Sequence, residues 1–168
     1  MDCWRQLAMA KTRFHTKLLA GGACVALLVV LSAAQNDTMA VVVNKDNPLS
    51  QVSLPELRQL YMGEQRFWKG RLAVTALMRV AGSRERAVAL KVLFRMSESE
   101  YKKYWVNRVF HGEASAAPPE LFSNGSAQDA VASIPGAVAL VPVSEVSPRV
   151  KVLKIDGHLP DEPGYPLQ

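Results

Sequence analysis

The chain has 168 residues, 49% of them hydrophobic, which is enough for one folded domain with its own core. Its formal net charge is +5, but four basic residues and one acidic residue lie in the first 34 positions. The rest carries 16 basic and 14 acidic residues, a net charge of +2. This balance argues against a protein that binds nucleic acid through a basic surface.

The beginning of the chain has the pattern of a secretory signal peptide. Four basic residues come first: Arg5, Lys11, Arg13 and Lys17. An uncharged apolar run, residues 18–31, follows and is shorter than the roughly 18–20 residues of a membrane-spanning helix. We therefore expect residues 1–34 to be removed and residues 35–168 to form one periplasmic domain. An uncleaved inner-membrane anchor is the alternative.

Two positions suit the cleavage. Small residues at Ser32 and Ala34 predict a cut after Ala34, and Thr38 and Ala40 offer a second cut after Ala40. Both cysteines of the chain lie in the first 34 residues. The exported domain is therefore expected to be stabilised by its core and not by a disulfide.

Four apolar segments predict β-strands: residues 40–43, 72–78, 137–141 and 150–155. They are apolar throughout, which is typical of strands buried on both faces beneath helices. Residues 113–124 predict a surface loop, and the proline-containing tail, residues 158–168, is expected to lie across the surface. The order of the elements predicts a small three-layer α/β domain.

Helix starts are indicated by pairs of capping residues: Ser53 with Glu56, Ser97 with Glu100, and Ser126 with Asp129. The helix that follows Ser97 is expected to cover residues 98–111 and to end at Gly112, a favourable C-cap residue. Residues 84–94 also have helical spacing, which predicts another helix directly after Ser83.

Ser83 marks a candidate anion-binding site. It would cap the helix, where free N–H groups and the positive end of the helix dipole attract anions. Arg79, Arg84 and Arg86 surround it with positive charge, and Asn44 at the end of the first strand is a further candidate. The alternative is that Ser83 only caps the helix, that the arginines are solvated, and that Asn44 makes a turn hydrogen bond.

No catalytic residue, metal site or cofactor is expected. His111 and His158 are far apart in sequence, and the exported domain has no cysteine. The Gly-x-Ser-x-Gly pattern of hydrolases is missing from the sequence.

An ordered series of motifs carries a resemblance to a known family. It consists of Val41-Val42-Val43-Asn44, the Asn47-Pro48 turn, Phe67-Trp68-Lys69-Gly70, Gly82-Ser83, Trp105, Gly112, Pro118-Pro119 and Pro135-Gly136-Ala137-Val138-Ala139-Leu140-Val141. From Val41 to Val141 the chain resembles the periplasmic phosphate-binding protein of the phosphate ABC transporter and its short relatives. The resemblance implies a periplasmic-binding-protein-like domain, truncated relative to the two-lobed receptors.

The resemblance also implies which residues contact the ligand. In the receptors an arginine and a serine four positions later contact phosphate, and Arg79 and Ser83 occupy both places. Arg84 stands where the family has glycine, and Glu85 stands where it has threonine. The receptors also take phosphate ligands from an earlier βα unit that has no counterpart here.

Two functions follow as hypotheses. The first is an exported protein, not an enzyme, that binds inorganic phosphate or a similar oxyanion and serves an inner-membrane ABC transporter. The second is an envelope interaction module that keeps the fold and has lost the ligand. Pairing of two copies to complete a cleft is left open.

Overall fold

The computed structural model describes residues 38–69 and 71–168. The predicted signal peptide, residues 1–34, lies outside the described residues. Within the described part of the chain, no helix combines the length and the apolar character needed to cross a bilayer.

The described residues form seven strands and four α-helices. The strands are β1 Met39–Val43, β2 Gln51–Val52, β3 Thr75–Ala76, β4 Met78–Arg79, β5 Glu120–Leu121, β6 Ala137–Pro142 and β7 Lys151–Ile155. The helices are α1 Leu54–Tyr61, α2 Arg84–Val88, α3 Glu98–Phe110 and α4 Asn124–Ser133. A π-helical segment, Ala89–Phe94, continues α2, and a 3₁₀ turn, Val143–Glu145, follows β6.

Five of these strands form a mixed sheet in the order β2-β7-β1-β6-β3. Strand β1 lies in the middle and is antiparallel to both of its neighbours, β6 and β7. The outer pairs, β2 with β7 and β3 with β6, are parallel. Strands β4 and β5 form a separate two-stranded parallel sheet.

Helices cover both faces of the five-stranded sheet. Met39, Val41 and Val43 of β1 belong to the larger core, which also takes residues from α1, α3 and the π-helical segment. Ala40 and Val42 point to the opposite face and pack in a second core with residues of α4. The alternation follows from the two-residue period of a strand. The prediction of two-sided burial is confirmed for β1 and β6, while β7 exposes Lys154 and residues 72–76 are half-buried or exposed. The prediction of a three-layer α/β domain is confirmed.

The predicted strand over residues 72–78 is shorter and divided. Residues 72 and 73 pair with residues 67 and 68, through the Trp68 N–H bond to the Leu72 carbonyl and a bridge between Phe67 and Ala73. Thr75–Ala76 then pairs with β6, and Met78–Arg79 pairs with β5. The strand is divided because the chain changes its hydrogen-bonding partner twice.

Strand β5 lies inside the segment that was expected to be a loop, and the fourth helix starts earlier than predicted. The Ser123 hydroxyl accepts from the Ser126 N–H at 3.0 Å, and the Ser126 hydroxyl accepts from the Ser123 N–H at 3.2 Å. The capping box is therefore Ser123 with Ser126, not Ser126 with Asp129. The caps at Ser53 and Ser97 are confirmed.

The tail lies on the molecule and its end is part of the core. Tyr165 and Leu167 are buried in the larger core beside Met39. The Met39 N–H donates to the Leu167 carbonyl at 2.8 Å, and the Tyr165 hydroxyl donates to the Met39 carbonyl at 2.9 Å. The tail therefore fixes the beginning of the central strand.

The turn before β6 tolerates no side chain. A Cβ on Gly136 would lie 1.7 Å from the Ala73 carbonyl oxygen, which is a backbone atom that cannot rotate away. We expect Gly136→Ala to destabilise the domain by about 1–3 kcal/mol or more, because the start of β6 or the segment at Ala73 must move. Urea unfolding measures the effect.

Gly125→Ala is the matched control. Gly125 lies in α4, and the nearest atom to a Cβ there is the Ser123 hydroxyl at 3.8 Å. Alanine in a helix should leave stability unchanged or raise it by about 0.5–1 kcal/mol. Equal unfolding midpoints for the two variants would contradict the packing described here.

Candidate functional site

Ser83 caps α2 as the sequence predicts. Its backbone is extended, with φ −75° and ψ 153°, and its hydroxyl oxygen accepts from the Arg86 N–H at 3.3 Å. The α-helical part that it caps is five residues long before the π-helical segment begins. The helix start with its free N–H groups is therefore present, and the surrounding side chains determine whether it can hold an anion.

Arg86 is turned into the domain and is only 2% exposed. Its Nε and Nη2 donate to the two carboxylate oxygens of Glu98, at 2.9 and 2.8 Å. Its Nη1 donates to Glu120 Oε1 at 2.7 Å and to the Arg79 carbonyl at 3.0 Å. The guanidinium carbon also lies 4.8 Å from the centre of the Tyr101 ring. These contacts occupy four of the five N–H groups of a guanidinium.

These contacts and the burial of the side chains shift the pKa values of Arg86, Glu98 and Tyr101. Burial acts to lower the pKa of Arg86, but the hydrogen bonds and charges of Glu98 and Glu120 outweigh it and the pKa is raised. The hydrogen bond from Arg86 lowers the pKa of Glu98. Burial raises the pKa of Tyr101 to about 12, so its hydroxyl stays protonated. At neutral pH one cation therefore faces two carboxylates.

Arg79 is also held by groups of the domain itself. Its Nη1 donates to the Leu121 carbonyl at 2.6 Å, and its Nε lies 3.7 Å from Glu85 Oε2. The Glu85 side chain is buried and accepts a hydrogen bond from Asn124 Nδ2 at 2.8 Å. The same Asn124 nitrogen donates to Glu145 Oε2 at 2.9 Å. One more carboxylate, that of Glu85, thus lies beside Arg79, and Asn124 links it to Glu145.

Formal charges at this place cancel. The arginines are Arg79, Arg84 and Arg86, and the glutamates that contact Arg79 or Arg86 are Glu85, Glu98 and Glu120. Arg84 is exposed, and it too has an interaction partner. Three positive and three negative side chains give these six residues a formal charge of zero. The positive surplus expected around Ser83 is therefore not present.

Asn44 lies away from this cluster. Its Nδ2 donates to the Val131 and Ala132 carbonyls at 3.0 and 2.8 Å, and its Oδ1 accepts from the Asp46 N–H at 2.9 Å. Val43 and Ala76 both pair with Val138, so the end of β1 lies level with the end of β3. Asn44 follows Val43 and therefore lies near the beginning of β3, whereas Arg79 lies in β4 of the separate sheet. Asn44 fixes α4 and a turn, so the structure does not bring it to the other candidates.

Two cavities bear on ligand binding. The one beside Arg79 and Glu85 has a volume of about 10 Å³, which is room for about one water molecule, and neither Ser83 nor Arg86 lines it. A larger groove of about 800 Å³ runs along the end of α1, the edge strand β3 and residues 112–119, and Trp105 of α3 forms part of its wall. This groove is separate from Ser83 and has the size of a ligand-binding site.

Among residues 38–69 and 71–168, no group of three or more His, Cys, Asp or Glu side chains is arranged to hold a metal ion.

Solved structures with the same fold are transport receptors. A protein described as a phosphate ABC transporter substrate-binding protein from Clostridium perfringens, with bound phosphate, matches with a TM-score of 0.60 and 19% identity over 74% of this chain. An ABC-type phosphate transport receptor from Vibrio cholerae matches with 0.60 and 20% over the same share. PstS from Borrelia burgdorferi matches with 0.56 and 14%, also over 74%.

These matches establish the fold of this chain. No protein-family model matches the sequence. The chain covers 47–49% of the length of the three solved structures, so it spans about half of each receptor. The predicted likeness to phosphate-transport receptors and the truncated α/β architecture are confirmed.

Sequence reasoning missed the residues that neutralise the arginines. Glu98 and Glu120 are 12 and 34 positions from Arg86, and Asn124 is 39 positions from Glu85. In the sequence, Glu98 is an acidic residue in the first turn of α3. Its favourable interaction with the helix dipole explains an acidic residue there, so nothing in the sequence indicates a contact with Arg86. Only the folded chain places these groups together.

The Arg86–Glu98 pair makes stability depend on pH. The folded-state pKa of Glu98 lies below its usual value, so its contribution is present above about pH 5 and is lost as the pH falls below about 4. We expect Glu98→Gln to lower the urea midpoint at pH 6 and to reduce its loss between pH 6 and pH 3.

The exposed residue Glu64 supplies the control variant, Glu64→Gln. It should keep the wild-type midpoint at pH 6. Identical pH profiles for wild type and Glu98→Gln would show that Arg86 does not depend on Glu98 in solution.

Proposed function

We propose that this chain is an exported, non-enzymatic domain that binds another protein of the cell envelope and does not act as a phosphate receptor. The observation that carries the proposal is the neutralisation of the arginines at Ser83. Arg86 is held by Glu98 and Glu120, and Arg79 lies beside the Glu85 carboxylate. An oxyanion at Arg86 would have to displace two carboxylates, and one at Arg79 would meet the charge of Glu85.

Electrostatics supports this conclusion. A charge-assisted contact from a guanidinium is the strong element of an oxyanion site, and it needs free N–H donors. Arg86 has four of its donors engaged, and Arg79 donates to the Leu121 carbonyl and has the Glu85 carboxylate 3.7 Å from its Nε. Glu85 adds a buried negative charge that would repel a second anion.

An exposed apolar stripe on α3 supports protein binding. Val106, Val109 and Phe110 are spaced for one face of a helix, and Phe110 is 85% exposed. The stripe adjoins Trp105, which lines the 800 Å³ groove. Apolar groups clustered on one face are typical of surfaces that contact another protein. We define the partner surface as Val106, Val109 and Phe110.

Export to the periplasm belongs to the same proposal. It is supported by the signal-peptide pattern of residues 1–34 and by the fold, which this chain shares with transport receptors. An inner-membrane transporter is one envelope partner that this fold suggests.

Phosphate binding at Ser83 is the second candidate. It is supported by the fold shared with a receptor described with bound phosphate, and by the capped helix start beside Arg79. In this case Arg79 would leave Glu85 and donate to the anion together with the Ser83 hydroxyl.

Thermal unfolding separates the two candidates. We expect residues 35–168 to melt at the same temperature in millimolar phosphate, sulfate and chloride at fixed ionic strength. A ligand at a hundred times its Kd would add roughly 2.7 kcal/mol, or several degrees for a domain of this size. A phosphate-selective rise that disappears in Arg79→Ala would establish the second candidate instead.

Capture from an envelope extract of the source organism tests the partner surface. We expect Phe110→Asp to reduce recovery of the partner about tenfold or more, because exposed aromatic anchors carry much of an interface's energy. Phe122→Asp is the matched control, since Phe122 is 86% exposed on a different segment. Equal recovery by wild type and Phe110→Asp, or equal loss in both variants, would contradict this assignment of the surface.

A further inference from the structure

Strand β3 lies at one edge of the five-stranded sheet, in the groove of about 800 Å³. The Thr75 and Leu77 N–H groups donate inward, to the Gly136 and Val138 carbonyls at 3.0 and 2.9 Å. Successive residues of a strand direct their backbone groups to opposite sides, so the N–H and carbonyl of Ala76 point away from β6 and into the groove. Among the residues that the structure describes, no strand pairs with Ala76 on this outer side.

Segments of the chain close this open edge at both ends. Before it, the Val74 N–H donates to the Arg66 carbonyl at 2.9 Å, and after it the Met78 N–H donates to the Pro119 carbonyl at 3.0 Å. The distance from Val74 to Met78 is about 13 Å along a strand, so the opening has room for about three residues of an extended chain. The end of a chain fits such a short opening better than the middle of one, because it has to enter only once.

The lining of the groove suits the side chains of a peptide. Leu60 and Tyr61 of α1 and Trp105 of α3 supply apolar surface, and residues 114–117 have small side chains that leave the space open. Alternate side chains of an extended peptide point to the same side. Every second residue of a peptide paired with β3 would therefore contact the apolar part of the lining.

Arg66 gives one end of the groove a positive charge. Its Nη2 donates to the Glu113 carbonyl, while the Glu113 carboxylate lies 3.8 Å from Arg108 Nε. In residues 38–69 and 71–168, no carboxylate forms an ion pair with Arg66, which is exposed. A carboxylate of the ligand would supply the missing negative charge at the Val74 end of the opening.

The C-terminus of this chain does not supply that carboxylate. Leu167 is buried in the larger core, and its carbonyl accepts from the Met39 N–H at 2.8 Å. A second folded copy has the same fixed end. The carboxylate must therefore come from a different protein.

We propose that the groove binds the C-terminal end of another envelope protein. The last residues of that protein lie along β3 and pair with the backbone of Ala76, and the terminal carboxylate contacts Arg66. The bound chain runs antiparallel to β3, because its end lies beside Val74 at the start of that strand. The inference rests on the proposed function, since it requires a protein partner, and it names the part of the partner that is bound.

Two synthetic libraries of random hexapeptides test the proposal on the immobilised full chain. One library has a free C-terminal carboxylate and the other a C-terminal amide. We expect about tenfold more peptide to be retained from the carboxylate library, because an arginine–carboxylate contact is a strong charge-assisted hydrogen bond. Equal retention from the two libraries, or none from either, would overturn the proposal.

A backbone variant tests the pairing with β3 on the best retained peptide. Ala76→Pro removes the outward N–H and should weaken binding about tenfold or more, since main-chain hydrogen bonds supply the affinity of an added strand. Gln51→Pro is the matched control on the other edge strand, β2, where the Ser50 and Val52 carbonyls accept from β7 and the Gln51 backbone faces outward. It should bind like the wild type. Unchanged affinity in Ala76→Pro, or equal loss in both variants, refutes the pairing.

Hydrogen exchange decides the same question if Ala76→Pro does not fold. In the wild type, the bound peptide should slow exchange of the Ala76 amide about tenfold or more and leave that of Gln51 unchanged. An Ala76 amide that exchanges equally fast with and without the peptide would show that β3 is not extended.

A charge variant tests the end of the groove. Arg66→Gln should weaken the peptide about threefold to tenfold, and Lys154→Gln, which removes an exposed cation of β7, should not change its affinity. Equal affinities for Arg66→Gln and wild type would contradict the proposed position of the carboxylate. The two proposals can fail separately, because peptide retention measures the groove and capture with Phe110→Asp measures the stripe on α3.

Discussion

The buried guanidinium of Arg86 is the contact on which this fold depends. It joins α2 to α3 through Glu98, to β5 through Glu120, and to the end of β4 through the Arg79 carbonyl. A buried cation left without its partners is strongly destabilising, so the two carboxylates are structural requirements of this arrangement. The stacking of Arg86 on Tyr101 extends the same contact into the aromatic part of the larger core.

Because its arginines contact glutamates of the same domain, this chain has the form of an oxyanion site without the electrostatics of one. A helix that starts at a serine beside an arginine has the form of an oxyanion site, and this chain has that form at Ser83. Its electrostatics differ, because Glu85, Glu98 and Glu120 supply the negative charge that a bound anion would otherwise supply. We therefore place the proposed function on the outer face of α3, where Phe110 and its neighbours are exposed, and not at the start of α2.

Local patterns in the sequence predicted most of the fold. Ser53, Ser83 and Ser97 cap their helices as their neighbouring residues indicate, whereas the cap of α4 is Ser123 and not Ser126. The apolar strands 40–43 and 137–141 indicated burial on both faces in the same way. The division of residues 72–78, the short strand β5 and the position of Asn44 were not predictable, because each depends on a pairing partner far away in the chain. The partners of Arg86 were missed for that reason too.

The most direct test of the account is a crystal structure of residues 35–168 grown in concentrated phosphate without competing oxyanions. The account predicts that Arg79 stays beside Glu85 with its Nη1 on the Leu121 carbonyl, and that Arg86 stays bound to Glu98 and Glu120. No phosphate should then lie at Ser83. A phosphate held by the Ser83 hydroxyl and the Arg79 guanidinium, with Glu85 displaced, would contradict it.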